Sequence, residues 1–395
     1  MIRIAFTMIG GKAWTGGYNY LLNLVKILAE QRASDITPVL FFGTDIDPDD
    51  AAPFSKIEGA QIVMSPLLNQ SRKKISLVRS QLLGRDRPVQ KLFLEHRIGI
   101  VFENAQFFGA SLGIPAIAWI PDFQHRGMPH LFSRTALLKR ELGFRAQIAA
   151  GRSIMLSSED ARRTCETLHP TTVGKTSVVR FAVPPPAVLP TPAQARAVAD
   201  RYGLPPRYFF MPNQFWQHKN HMLVVHALAL LKQRGHEVVV AASGKQSDPR
   251  LPGHFDSLTA AIAQTGVGPN FRLLGLIPYE DLAHLMCASV ALLNPSLFEG
   301  WSTTVEEARA LGVPMLLSNL DVHMEQAEGL ARFFDPRDPQ SLADAMLNAQ
   351  DDAARDGLRH VAGRTLDQAM VPVRRFADDF HALVSRTIRS TPSIL

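Results

Sequence analysis

Two carboxylates, Glu299 and Glu307, have seven residues between them and bracket the turn Gly300-Trp301-Ser302-Thr303-Thr304. The turn follows an apolar run, Val290–Asn294, and leads into a helix expected to begin near Ser302. The first amides of a helix lack intrahelical acceptors, so they can hold an anion. Hydroxyls from Ser302, Thr303 and Thr304 can add contacts, and a carboxylate one or two turns into the helix can accept two ribose hydroxyls. A simpler pattern is also present: Thr303 with Glu306, three residues on, fits a capping box. Capping does not account for Glu299.

A second chemical segment runs from Phe210 to His221 and contains Asn213, Gln214, Lys219 and Asn220. A charge-assisted bond from Lys219 to a phosphate is worth about 1.5–3 kcal/mol. The loop Ile9–Tyr18 places Gly16 and Gly17 where a helix begins, so that backbone amides can approach an anionic or sugar group. Asp122 and His125 follow the apolar run Ala116–Ile120. Ser243-Gly244-Lys245 ends another run and can approach phosphate, and Leu276 lies in the turn Leu274–Pro278. Asp45-Ile46-Asp47 has a metal-binding spacing, but Pro48, Asp49 and Asp50 make it an acidic turn, and no partner ligands accompany it. Zinc-ligand spacing, a nucleophile elbow, a Walker loop and a clean dinucleotide fingerprint are all missing from the sequence.

The stretch from Glu299 to Glu307 resembles the E-x7-E signature of family 4 (group 1) retaining glycosyltransferases, which have the GT-B fold. In that family the first acid lies near the transferred sugar and the second binds the nucleotide ribose; the matching residues are Glu299 and Glu307. The usual loop is Glu-Gly-Phe-Gly-Leu-Pro, where this chain has Glu299-Gly300-Trp301-Ser302-Thr303-Thr304. Phe210–His221 is similar to the family segment Gly-Arg-Leu-x-x-x-Lys-Asn, whose arginine and lysine meet the donor diphosphate. Lys219 matches the lysine, and Gln214 holds the arginine position, as in a branch with Pro-Asn-Gln-Phe-Trp and His-Lys-Asn-His.

The loop with Gly16 and Gly17 matches the family's glycine loop, which faces the donor. Asp122 and His125 match a strand end that lines the reaction centre, and the turn with Leu276 matches one that covers the base. The resemblance implies transfer of a hexose-type sugar from a GDP- or UDP-linked donor to a glycan or lipid-linked acceptor, in surface polysaccharide or lipopolysaccharide synthesis. It further implies retention by front-face attack, with no cofactor and no metal, because the protein chiefly stabilises charge on the leaving diphosphate. Two rival readings are a nucleotide-sugar epimerase of the same fold and a non-catalytic nucleotide-sugar binder.

Elements that could position these residues recur along the chain. Apolar runs at Ile2–Thr7, Val39–Gly43, Gln61–Met64, Ile98–Phe102, Ala116–Ile120, Ile154–Ser157 and Ser177–Phe181 alternate with amphipathic, helix-length segments. After a proline-rich interruption come Tyr208–Met211, Val238–Ala242, Arg272–Leu274, Val290–Asn294, Met315–Ser318 and Arg332–Phe334. Continuous apolar runs suit parallel strands covered on both faces, and the alternation gives an α/β class. The expected architecture is two facing Rossmann-like doubly wound domains: an acceptor domain at 1–183, a linker at 184–195 around Pro184-Pro185-Pro186, and a donor domain at 196–372. The segment 373–395, helical from Val373 to about Ile388, returns to the first domain.

Bulk properties narrow the class. The 395 residues are 46% hydrophobic and 20% charged, a globular composition long enough for two domains. No run approaches the length of a membrane span, no signal peptide is evident, and two distant cysteines suggest a reducing compartment; the expected location is cytoplasmic. The formal charge of +6 is uneven: Arg72, Lys73, Lys74, Arg79, Arg85, Arg87, Lys91 and Arg97 are opposed in their stretch only by Asp86 and Glu95. A second group is Arg126, Arg134, Lys139, Arg140, Arg145 and Arg152. These suit either solvated helix faces or a surface peripheral to anionic membrane at its inner face. Nucleic acid is disfavoured because no stacking aromatics interleave the cations.

Overall fold

Val39 to Phe42 shows why this chain builds parallel sheets: all four side chains are buried, so the strand they form must be covered on both faces. A computed structural model of the chain describes residues 1–8, 15–104, 106–329, 331–356 and 365–390. Among them, β1 (Ile2–Thr7), β2 (Ile36–Phe42), β3 (Gln61–Met64), β4 (Ile100–Glu103), β5 (Ala116–Trp119), β6 (Ser153–Leu156) and β7 (Thr176–Val178) form one sheet, in the order β3-β2-β1-β4-β5-β6-β7. The strands β8 (Phe209–Met211), β9 (Val240–Ser243), β10 (Phe271–Gly275), β11 (Ala291–Asn294), β12 (Met315–Ser318) and β13 (Ala331–Phe334) form a second, in the order β10-β9-β8-β11-β12-β13. Every pairing is parallel. Each apolar run named from the sequence overlaps a strand.

The chain divides into two units, Met1–His125 with Ser133–Ala182 and Pro372–Leu395, and Arg126–Phe132 with Val183–Val371. In the first unit Ala5, Val39 and Val101 pack with Phe41, Phe93 and Phe108 on one side of the sheet. In the second unit, successive β8 residues supply opposite faces. Phe209 and Met211 enter one core cluster, while Tyr208 and Phe210 enter the other.

Three boundaries differ from the sequence expectation. The short segment Arg126–Phe132 groups with the second unit. A helix, Pro192–Arg201, begins inside the expected linker, because Thr191 and Gln194 form a capping box and Pro192 takes the first turn, where a missing amide costs nothing. The last helix starts at Leu366, not Val373, and continues through Pro372 to Ser390. Its docking on the first unit is aromatic: Phe380 lies 5.8 Å from Phe102 and 6.5 Å from Phe6, and Phe376 lies 5.7 Å from Phe181. Thr387 adds a hydroxyl contact of 2.8 Å to Ser153.

In both sheets the strand order reverses beside the first strand, at β1/β4 and at β8/β11. Ligands of doubly wound sheets bind outside the carboxyl ends of the strands at such a reversal. In the second unit the loops leaving that point are the two that carry Lys219 and Glu299.

Candidate functional site

Lys219 donates to Glu299 Oε1 at 2.5 Å, joining residues that are eighty positions apart in sequence. The pair is 13% and 8% exposed. Burial alone would raise the Glu299 carboxyl, but the Lys219 ammonium overrides it and holds the pKa at about 2. Ser296 Oγ lies 2.7 Å from the same carboxylate oxygen.

Backbone anchors explain why the loops meet. Asn220 adopts a left-handed conformation (φ 60°) and donates its amide to the carbonyls of Pro295 (3.0 Å) and Pro336 (2.8 Å). Leu297 N donates to His218 O at 2.8 Å. His218 is buried and neutral: Arg250 donates to its Nδ1 at 3.1 Å, and burial, with the charges of Lys219 and Arg250, brings its pKa down to about 3.

The helix after this loop, Thr303–Leu311, has Ser302 as its N-cap residue, and no side chain caps it. The expected capping box is therefore corrected. Glu306 instead turns inward, where it meets Arg309 at 2.8 Å and Gln326 at 2.8 Å. Gln326 also holds both sides of Ser302, accepting from its N at 3.1 Å and donating to its O at 2.7 Å. The Ser302 hydroxyl sits against Asn294 Nδ2 (3.0 Å) and Thr304 Oγ1 (3.2 Å). The polar groups of Ser302 thus all have partners within the second unit. Thr303 and Thr304 carry the first-turn amides, which have no intrahelical acceptor.

Glu307, one turn into the helix, is half-buried, and its carboxylate lies 3.4 Å from the Tyr279 hydroxyl. Burial pushes its pKa up to about 8.

The carboxyl ends of β8, β9 and β10 bring the remaining donor-side candidates together. Gln214 Oε1 accepts from Lys245 N at 2.8 Å, and Gly244 N donates to Gly275 O at 2.8 Å. Gly244 has φ 151°, and a Cβ there would lie 2.5 Å from Asn213 O, so this approach requires glycine. Asn213 and Ser243 are buried, whereas Leu276 is exposed.

Asp122 and His125 belong to the first unit. Asp122 accepts from Gln124 N at 2.8 Å and pairs with Arg140 at 2.5 Å. His125 is buried beside Phe144, with Nε2 3.5 Å from Glu141; burial and Arg140 lower its pKa. Gly16 and Gly17 open the helix Thr15–Gln31; residues 9–14 of their loop lie outside the described residues. Asp45 and Asp47 accept backbone amides, from Gln70 at 2.8 Å and Asp49 at 2.9 Å, and so serve the turn. Among the described residues no cluster of three or more His, Cys, Asp or Glu could hold a metal ion.

Sequence reasoning missed Gln326, Asn294 and Arg309. Arg309 pairs with Glu306 in its own helix and Asn294 with Ser296 and Ser302 in the loop that follows it, whereas Gln326 carries no local signal, being twenty-four residues from Ser302.

The second unit is doubly wound, and a helix without a side-chain cap starts beside its switch point, where ligands of such sheets bind. Residues 201–364, within the second unit, match the family model described as glycosyl transferases group 1. Over 86 residues the chain is 34% identical to O-antigen chain mannosyltransferase B of Escherichia coli, a stretch covering 22% of this chain and 23% of that protein. The fold resembles that of HepE from Anabaena, solved with UDP and glucose (TM-score 0.72, 15% identity, 98% of this chain and 100% of the other). It also resembles a glycosyltransferase from Rickettsia africae (TM-score 0.69, 14% identity, 99% of each chain). The architecture is GT-B.

Proposed function

We propose that this chain is a retaining glycosyltransferase that moves a hexose from a nucleoside diphosphate to a glycan or lipid-linked acceptor. The reading rests on the Lys219–Glu299 pair set beside the uncapped helix at Thr303, at the strand-order reversal of the second sheet. Lys219 would exchange part of its bond with Glu299 for the donor diphosphate, aided by the amides of Thr303 and Thr304. Glu299 would then turn to the sugar hydroxyls, and Glu307 would accept those of the ribose. Gln214 and Asn213, with Ser243 and Gly244, would border the diphosphate, and Leu276 would lie against the base. Charge on the departing diphosphate would be stabilised by a fixed cation and helix-end dipoles, without a metal. The likeness to a mannosyltransferase of O-antigen chains supports a mannosyl or related hexosyl donor and surface polysaccharide synthesis. The work would take place in the cytoplasm, at or near the inner face of a membrane.

Incubation with GDP- and UDP-linked hexoses, with and without glycan-lipid acceptors, tests the proposal. Transfer demands a product that depends on acceptor and keeps the anomeric configuration. Sugar interconversion without acceptor would make the chain an epimerase, and nucleotide binding with neither product would make it a binding protein.

A further inference from the structure

Gly127 sits against the edge of an aromatic ring. A Cβ there would lie 3.0 Å from Cε2 and 3.1 Å from Cδ2 of Phe298, the residue that precedes Glu299. Gly127 is outside the left-handed backbone region, so glycine serves close approach here and not backbone freedom. The contact lies within the second unit, to which Arg126–Phe132 belongs although the chain on either side of it belongs to the first. Met128 and Leu131 of this segment are buried. A side chain at position 127 must push the Phe298 ring, and a packed interior passes on a shift of even one methylene.

The other end of the segment reaches the other loop of the ion pair. The Arg250 guanidinium lies 6.0 Å from the centre of the Phe132 ring and 5.0 Å from that of Trp216. Both distances allow cation–π attraction. Arg250 also pairs with Asp248 at 3.2 Å and donates to His218 Nδ1 at 3.1 Å, and Asp248 accepts from Gln217 N at 3.1 Å. Trp216, Gln217 and His218 lead directly into Lys219. The segment therefore meets the Glu299 loop at Gly127 and, through Arg250, the Lys219 loop at Phe132. Glu299 lies in a loop and Lys219 ends a short helical turn, so no long regular element holds either one. Attraction between two largely buried charges falls off with separation, and their bond at 2.5 Å persists only while both loops keep their places.

We propose that Arg126–Phe132 is a positioning element for the Lys219–Glu299 pair, with Gly127 setting the Glu299 side through Phe298 and Phe132 setting the Lys219 side through Arg250. The proposal deepens the donor-site reading of that pair, and its first measurement contains no nucleotide, so the two can fail separately.

The test uses the full chain and follows the Glu299 carboxyl and Lys219 ammonium resonances at neutral pH, assigned with Glu299→Gln and Lys219→Met. Gly127→Val is expected to move the Glu299 resonance and to weaken nucleoside diphosphate binding by about ten-fold or more, with thermal unfolding nearly unchanged. Trimming the ring should repair the damage: Gly127→Val/Phe298→Leu is expected to return the Glu299 resonance toward the parent position and to recover most of the affinity. Phe132→Ala should move the Lys219 resonance, whereas Phe132→Tyr, which keeps a ring, should leave it in place. If Gly127→Val does not fold, Gly127→Ala is expected to give the same readings at smaller amplitude. An unmoved Glu299 resonance in the folded position-127 variant, no recovery in the double variant, or an unmoved Lys219 resonance in Phe132→Ala would each overturn the proposal. Moved resonances with unchanged nucleotide affinity would support the positioning role and sink the donor-site reading instead.

Discussion

Gln326 holds Ser302 like a short piece of β-ladder, accepting from its N at 3.1 Å and donating to its O at 2.7 Å. The same amide nitrogen reaches Glu306, which is paired with Arg309. One side chain therefore fixes the start of the Thr303–Leu311 helix and leaves its next amides to a ligand. Replacing it with alanine leaves buried polar groups unpaired, at a cost of about 1–3 kcal/mol. Gln326→Ala is expected to lower the thermal midpoint and weaken nucleoside diphosphate binding together. Unchanged nucleotide affinity, measured by calorimetry, would contradict this positioning role.

On the proposed reading, in which only the diphosphate meets the ammonium, Lys219→Met should weaken a nucleoside diphosphate by about 1.5–3 kcal/mol while leaving the bare nucleoside unaffected. Loss of the cation also removes what holds the Glu299 pKa at about 2, so that carboxyl should titrate higher. Calorimetry with both ligands checks the first point, and carboxyl resonances followed against pH check the second. Equal loss for nucleoside and nucleotide would remove Lys219 from the diphosphate site.

Glu307 is protonated at neutral pH because burial lifts its pKa to about 8. Folded protein thus holds a proton that unfolded chain sheds near the ordinary glutamate pKa. The resulting stability is complete below that lower pKa and is lost as pH rises through about 8. The thermal midpoint should fall between pH 5 and pH 9 less steeply in Glu307→Gln than in the parent chain. Ribose hydroxyls that donate to Glu307 favour its carboxylate, so nucleotide binding should release a proton near pH 7 and tighten as pH rises toward 8. Calorimetry in buffers of different ionisation enthalpy reads that proton directly; no release would argue against a ribose contact.

Gly244→Ala places a methyl group 2.5 Å from Asn213 O at a φ of 151°. The loop must move, taking the Gln214–Lys245 contact with it, and the backbone conformation itself costs about 1–3 kcal/mol for a residue with a side chain. Lower stability and weaker nucleotide binding are expected, whereas an alanine variant that matches the parent in both would show that the approach is not needed.

Phe380→Ala should destabilise the first unit by about 3–5 kcal/mol, since the ring is fully buried beside Phe6 and Phe102. Denaturant unfolding measures it. A change within error would mean that the last helix contributes little to that core.

What the amino-acid order determined alone is local. Parallel strands covered on both faces read as apolar runs, so the runs of the sequence overlap the strands, and Lys219 and Glu299 stand out in the loops that leave β8 and β11, with Glu307 in the helix that follows. Partner choice was not local. The Lys219–Glu299 pair, the Gln326 amide across Ser302 and the anchoring of Asn220 on Pro295 and Pro336 all join segments that meet only through the order of the strands. The last helix shows the limit at its start: it was expected from Val373, yet the helix runs from Leu366. The sequence marked Arg72–Arg97 as basic, but only the tertiary structure decided that Ser76 and Ser80 face inward and Ile75, Val78 and Leu82 outward, because the face a helix buries is set by what packs against it.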